Sequence, residues 1–190
     1  MQATTSMALV LTVLAGLLAG CATAPASRPE RAPASRPERE TLRTESASAL
    51  QRMRAEDPGV DAVVRRGYGY ALFPTVTKGG FVVGAAQGEG VLYEQGRQTA
   101  YCDLTQGTVG AQIGGQTFSE LLVFETKATL DRFKAGQLAF TTEASAVVLT
   151  TGVATADTPF VNGVAVVISP IGGAMVEAAV GGQQFTCQAR

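Results

Sequence analysis

Apolar positions recur at helical spacing in three short stretches and alternate with small or polar residues through most of the rest. Residues 38 to 56 place Leu42, Ala49, Leu50 and Met53 on one face. Glu38 and Glu40 come early and Arg52 and Arg54 late, as a helix dipole favours, and Asp57-Pro58-Gly59 ends the pattern. A second short helix follows, with Val60, Val63 and Val64 inward and Gly67 as its stop. A third spans 127 to 135. Thr126 is its N-cap, Leu130 and Phe133 are its apolar pair, and Gly136 ends it. The remainder has the period of strands. Residues 80 to 93 put Gly80, Gly84, Gly88 and Gly90 on one face. In 107 to 118, Val109, Ala111 and Ile113 face one way, and Thr108, Gly110, Gln112, Gly114 and Gln116 face the other. LLVF (121 to 124) is a fully apolar run. Segments 161 to 168 and 173 to 185 read as a closing pair joined through Ser169-Pro170-Ile171-Gly172.

Glycine inside a strand weakens it unless a bend, a bulge or a neighbouring backbone needs the space. This chain has 22 glycines in 190 residues. The expected fold is therefore α+β: a curved, mostly antiparallel, glycine-rich sheet, barrel-like in the limit, covered by two or three short helices. With 46% apolar and 16% charged residues, the chain has enough apolar surface to bury a core. Histidine is absent, which excludes Ser–His and Cys–His dyads and histidine metal sites. The formal net charge of −1 argues against nucleic acid as a partner, since phosphate neutralisation needs clustered Lys and Arg.

The N-terminal segment differs from the rest. Residues 7 to 20, MALVLTVLAGLLAG, are too short to span a bilayer, which takes about 20 residues, and have the length of a signal-peptide core. The run ends in Leu18-Ala19-Gly20-Cys21, which looks like a bacterial lipobox, with Cys21 as the acylated residue. Acyl chains on Cys21 would anchor the protein firmly, at roughly 0.8 kcal/mol per buried methylene. Ala22, rather than Asp, after the cysteine favours the outer membrane, facing the periplasm, by resemblance to enteric sorting. APASRPER then occurs twice in succession, at 24 to 31 and 32 to 39. Proline, alanine and alternating charge make a semi-rigid spacer that extends up to ~50 Å at about 3.1 Å per residue. The expected organisation is a signal peptide at 1–20, a lipid-anchored spacer at 21–40 and one domain at 41–190. Residues 21 to 56 carry seven basic and five acidic residues, a net of +2; residues 57 to 190 carry eight and eleven, a net of −3.

Four segments together resemble the SYLF domain: YALFPTVTKGGFVVG (70 to 84), GEGVLY (88 to 93), TVGAQIGGQTFSELLVF (108 to 124) and GAMVEAAVGGQQF (173 to 185). The resemblance runs in order over residues 42 to 187. Phe73, Pro74, Lys78, Gly79 and Phe81, and the stretch Gly110 to Phe124, are its most specific parts. It implies lipid binding without catalysis. Eukaryotic members bind phosphoinositides through the domain, helped by an N-terminal amphipathic helix that residues 42 to 54 would match, and some yeast members bind actin filaments. Lys78 matches the family's lysine after Phe-Pro. Tyr68, Glu89 and Glu177 stand where the family often has lysine, a basic residue and glycine. Each of these departures removes positive potential, which favours apolar contact over headgroup charge.

Each candidate residue also has a plain reading. Lys78, in a Thr-Lys-Gly-Gly turn, either holds an anionic headgroup beside glycine amides or is simply solvated. Arg65 and Arg66 either join it as a basic patch or complement a helix C-terminus. Cys102 and Cys187 either form a disulfide, which an oxidising compartment permits, or stay as two buried thiols. They are too few for a metal site. Glu177 is either a buried carboxylate or an outward group on the polar face. Ser119-Glu120 and Asp131 show no catalytic spacing, and GAQIGG lacks the context of a phosphate loop. The expectation is a non-catalytic envelope lipoprotein whose domain binds lipid or a membrane surface, with no cofactor. The alternative is an envelope scaffold or protein-interaction module with no lipid ligand.

Overall fold

A computed structural model describes residues 35–138, 140–141, 147–150, 154 and 157–190. The leader, Cys21 and the first copy of the repeat lie outside the described residues. Residues from Ser35 onward form one compact unit. In chain order its elements are α1 (Arg36–Glu56), α2 (Gly59–Arg66), β1 (Gly69–Glu94), β2 (Arg97–Phe124), α3 (Lys127–Lys134), β3 (Phe140–Thr141), β4 (Val147–Thr150) and β5 (Val164–Ala189).

The first helix begins inside the second copy of the repeat, earlier than the spacer boundary expected at residue 40. Ser-Arg-Pro-Glu carries a start signal: the Ser35 amide donates to the Glu38 carboxylate at 2.6 Å, and a proline occupies the first turn. α3 starts where expected, with the Thr126 hydroxyl accepting from the Thr129 amide at 3.2 Å.

The sheet is α+β in context, antiparallel along the order β1-β2-β5-β3, and not closed; β4 adds to β5 in parallel. Its three main strands are 26, 28 and 26 residues long. Laid straight at about 3.3 Å per residue, each would reach roughly 90 Å. A domain of this size has a radius of gyration near ~15 Å. The strands must therefore double over, and they do. Residues 69–80, 114–124 and 164–173 form a proximal half. Residues 83–94, 97–109 and 181–189 form a distal half that folds back against it. The Phe73 and Phe185 rings, one from each half, have centroids 5.7 Å apart. Gln183 of the distal half donates to the Glu120 carboxylate of the proximal half at 3.1 Å.

Two cores result. One lies between the halves and includes Phe73, Leu104, Leu122, Phe124 and Phe185, with Leu130 and Phe133 of α3 packed in. The Phe133 ring lies 4.7 Å from Phe124 and 4.9 Å from Phe185, centroid to centroid. The other lies on the outer face of the proximal half. There Ala49, Leu50 and Met53 of α1 and Val60 and Val63 of α2 cover Leu72, Leu121, Val123, Ala165 and Val167.

Segments 161 to 168 and 173 to 185 do not form a hairpin pair. Both lie largely in the single strand β5, and Ser169 to Gly172 passes through it. Pro170, opposite Phe118, sits where the β2–β5 register shifts, and Pro74 sits at a register shift of β1. A proline at a bulge bends a strand without ending it. Cys102 and Cys187 are register partners on β2 and β5, with Cα atoms 4.1 Å apart, and are joined in a disulfide. Closing 85 residues would constrain the unfolded chain by about 4 to 5 kcal/mol in the chain-entropy account.

Candidate functional site

The line along which the sheet doubles over is a crest, and its side chains are distributed the wrong way round for an ordinary sheet. Phe81 is 72% exposed and Ile113 58%, and Val82, Val83, Val109 and Ile171 are also more than half exposed. Phe81 pairs in register with Ile113, and Val83 with Val109. Phe81, Ile113, Val83 and Val109 therefore form a paired outer strip rather than scattered single exposures. Thr108 and Gln112 point inward and are buried. The alternation read from the sequence at 108 to 116 is present, but the polar set is inside and the apolar set outside.

The polar interior of the crest is hydrogen-bonded. The Thr108 hydroxyl donates to Gln112 Oε1 at 2.8 Å. Gln112 Nε2 donates to the carbonyl oxygens of Val82 at 3.1 Å and Thr108 at 3.3 Å. Val82 has a φ of 65°, uncommon for a β-branched residue, at the register shift between Phe81 and Val83. Gln112 thus holds from below the carbonyl of the residue that turns the strand. A Cβ on Gly84 would lie 2.4 Å from Gln112 Oε1 and 2.6 Å from Thr108 Oγ1, so a side chain there would push this hydrogen-bonded pair aside. Residues 79–88 and 104–119 contain no Asp, Glu, Lys or Arg. The outer strip itself carries no charge; Lys78 lies on β1 three residues before Phe81, and Glu177 of β5 is the register partner of Gln112.

The three cations singled out in the sequence do not converge. Lys78 lies within β1 rather than in a turn and is buried to 7% exposure, on the inner side with Val76. A lysine there gives its charge to the interior and not to an external headgroup. Arg65 forms an ion pair with Asp61 one helical turn back. Arg66 donates to the Thr158 carbonyl at 2.8 Å, with its guanidinium 5.0 Å from the Phe160 ring centroid. Both arginines secure the end of α2. The side chain of Glu177 lies outside the described residues. Among the described residues there is no group of three metal-ligating side chains and no helix long and apolar enough to cross a membrane.

Ser119-Glu120 shows no catalytic spacing in the sequence, and the two side chains take separate partners in the fold. The Ser119 hydroxyl donates to the Pro74 carbonyl at 2.7 Å, while Glu120 is fully buried between the two halves. Burial pushes the Glu120 carboxyl up to about 7, against the opposing effects of the Gln183 hydrogen bond and the Lys78 charge. The one signal in the sequence was a glutamate placed directly before the apolar run LLVF.

No protein-family model matches the chain, and no curated protein matches it significantly.

Proposed function

We propose that this is a non-catalytic, lipid-anchored protein of a bacterial envelope, held by Cys21 and probing a lipid surface with the crest of its SYLF-like domain. The observation that carries this reading is the exposed strip of Phe81, Val83, Val109 and Ile113 over a polar, hydrogen-bonded interior. Strands with apolar side chains outward and polar ones inward suit contact with hydrocarbon. Leaving such a strip in water is unfavourable by about 25 cal/mol per Å² of apolar surface. A lipid surface suits it better than a charged partner, since residues 79–88 and 104–119 offer no ion to pair.

The open sheet sets the depth. Among the described residues β1 pairs only with β2, so its other edge has unpaired backbone groups. Such an edge cannot enter the hydrocarbon, where each unsatisfied group costs several kcal/mol. The crest therefore docks at the headgroup–acyl boundary and does not span. The Cys21 anchor and the spacer favour an outer-membrane location facing the periplasm, with the domain free to meet the same membrane. The chain offers no histidine, and Ser119 is engaged by backbone, so recognition rather than reaction is the role assigned.

The test uses the mature chain with Cys21→Ser, so that acylation cannot carry it to lipid. On flotation with vesicles of phosphatidylcholine alone, or mixed with phosphatidylglycerol, it should rise with both. The further double change Phe81→Ser/Ile113→Ser should leave it at the bottom. If the Cys21→Ser chain stays at the bottom with every composition, including lipid from its own host, the lipid reading fails and a scaffold role takes its place.

A further inference from the structure

We propose that the doubled sheet is a pH-sensitive clasp: Glu120, buried where the two halves meet, keeps them closed when protonated and favours their parting when ionised. The inference stands on Glu120's position and does not depend on what covers the crest.

The geometry supplies the interface, the hinge and the moving part. Glu120 belongs to the proximal half, and its hydrogen-bond partner, Gln183, belongs to the distal half. Its other oxygen, Oε1, is buried and has no hydrogen-bond partner among the described residues. Among the described residues an ionised carboxylate there has one neutral donor and one buried oxygen without a partner, and water entering between the halves would relieve it. A protonated carboxyl has no charge to solvate. The hinge is the crest, where Val82, Gly114 and Gly173 have φ of 65°, 121° and 90°. The distal half is stitched across its own strands by the Cys102–Cys187 disulfide, so its β2 and β5 segments would part from the proximal half together.

Among the described residues the surrounding charged groups are few, and β3, which pairs with Gln183, carries no titratable residue in Phe140–Thr141. β1 presents Lys78, whose charge favours the ionised form. β5 presents Gln183 and its register partner Ile168, which do not titrate. Leu130 and Phe133 of α3 add only apolar surface to this core. Arg54 and Glu56 belong to α1, which packs on the opposite face of the proximal half. Lys78 and the Gln183 hydrogen bond offset part of the cost of burial, which still dominates, so the carboxyl sits at about 7. The sign follows from linkage. A carboxyl raised from its ordinary 4.5 binds its proton more tightly when closed. Closure is therefore fully favoured below 4.5, weakens as pH rises towards 7, and levels off above it.

Hydrogen exchange on the mature, disulfide-intact chain tests this, with rates corrected for intrinsic chemistry. For amides at 118–122 and 183–187, the open population should rise roughly 70-fold between pH 5 and pH 8. In Glu120→Gln it should change less than about 3-fold over the same range. Lys78→Met provides a second variant: removing the cation should move the midpoint to higher pH, which loss of packing alone would not do. A wild-type response matching that of Glu120→Gln, or a midpoint unmoved by Lys78→Met, would overturn the proposal.

Discussion

A Cβ placed on Gly90 would meet Phe73 Cδ1 at 2.6 Å and the Leu72 carbonyl oxygen at 2.7 Å. Gly90 belongs to the distal half of β1 and Leu72 and Phe73 to its proximal half, so this one residue measures how closely the strand lies against itself. Gly107, on the neighbouring strand, has nothing within 4 Å of the same position. The pair separates space from propensity. Gly90→Val should lower unfolding stability in urea by about 2 to 3 kcal/mol, because the interior is close-packed and the obstacle includes backbone. Gly107→Ala should stay within about 1 kcal/mol of wild type, with the gain of a side chain in a strand as its main effect. Equal tolerance at both positions would mean that the halves do not touch. The same contrast explains why the glycines of 80 to 93 share a face: that face is turned toward the other layer, and side chains there would hold the layers apart.

At the scale of elements, the helices were the most legible part of the sequence because each carries its own punctuation. Thr126 and Gly136 bracket α3, and Asp57-Pro58-Gly59 ends α1. Thr126→Ala should destabilise the protein by about 1 kcal/mol in thermal or urea unfolding, since the Thr129 amide would lose its acceptor. Thr126→Ser should recover most of that loss. The strands were legible as period-two segments but not as long strands. Pro170 and Pro74 look like breaks, yet in the fold they are bends, and no local signal distinguishes the two. The side that faces inward was equally hidden at 108 to 116. Period two says only that Val109 and Ile113 are opposite Thr108 and Gln112; burial of the polar set depends on β1 turning over at Val82 and Gly84, whose backbone lies against Thr108 and Gln112. Lys78 was misplaced for the same reason, because Thr-Lys-Gly-Gly is turn-like in isolation and becomes mid-strand only through its pairing with Gln116.

For the molecule as a whole, the acidic balance of the domain and the apolar crest make opposite demands on a membrane, and their contest is measurable. Residues 57 to 190 carry a net of −3 and residues 21 to 56 a net of +2, so the mature chain is acidic by −1 and an anionic bilayer repels its strand-rich part weakly at long range. Contact at the crest is short-ranged and apolar, and salt should not weaken it. Between roughly 50 and 500 mM salt the screening length falls from about 14 Å to about 4 Å, enough to remove most attraction or repulsion between exposed charges. Flotation of the Cys21→Ser chain with neutral vesicles should therefore be unchanged across that range. Flotation with vesicles rich in phosphatidylglycerol should rise with salt, as repulsion is screened and the crest still gains its contact. Binding through Arg65 and Arg66 or any other cationic patch predicts the reverse, with anionic vesicles losing protein as salt increases. A fall in anionic binding with salt would thus move the site away from the crest. A rise, lost together with Phe81 and Ile113, would place it there.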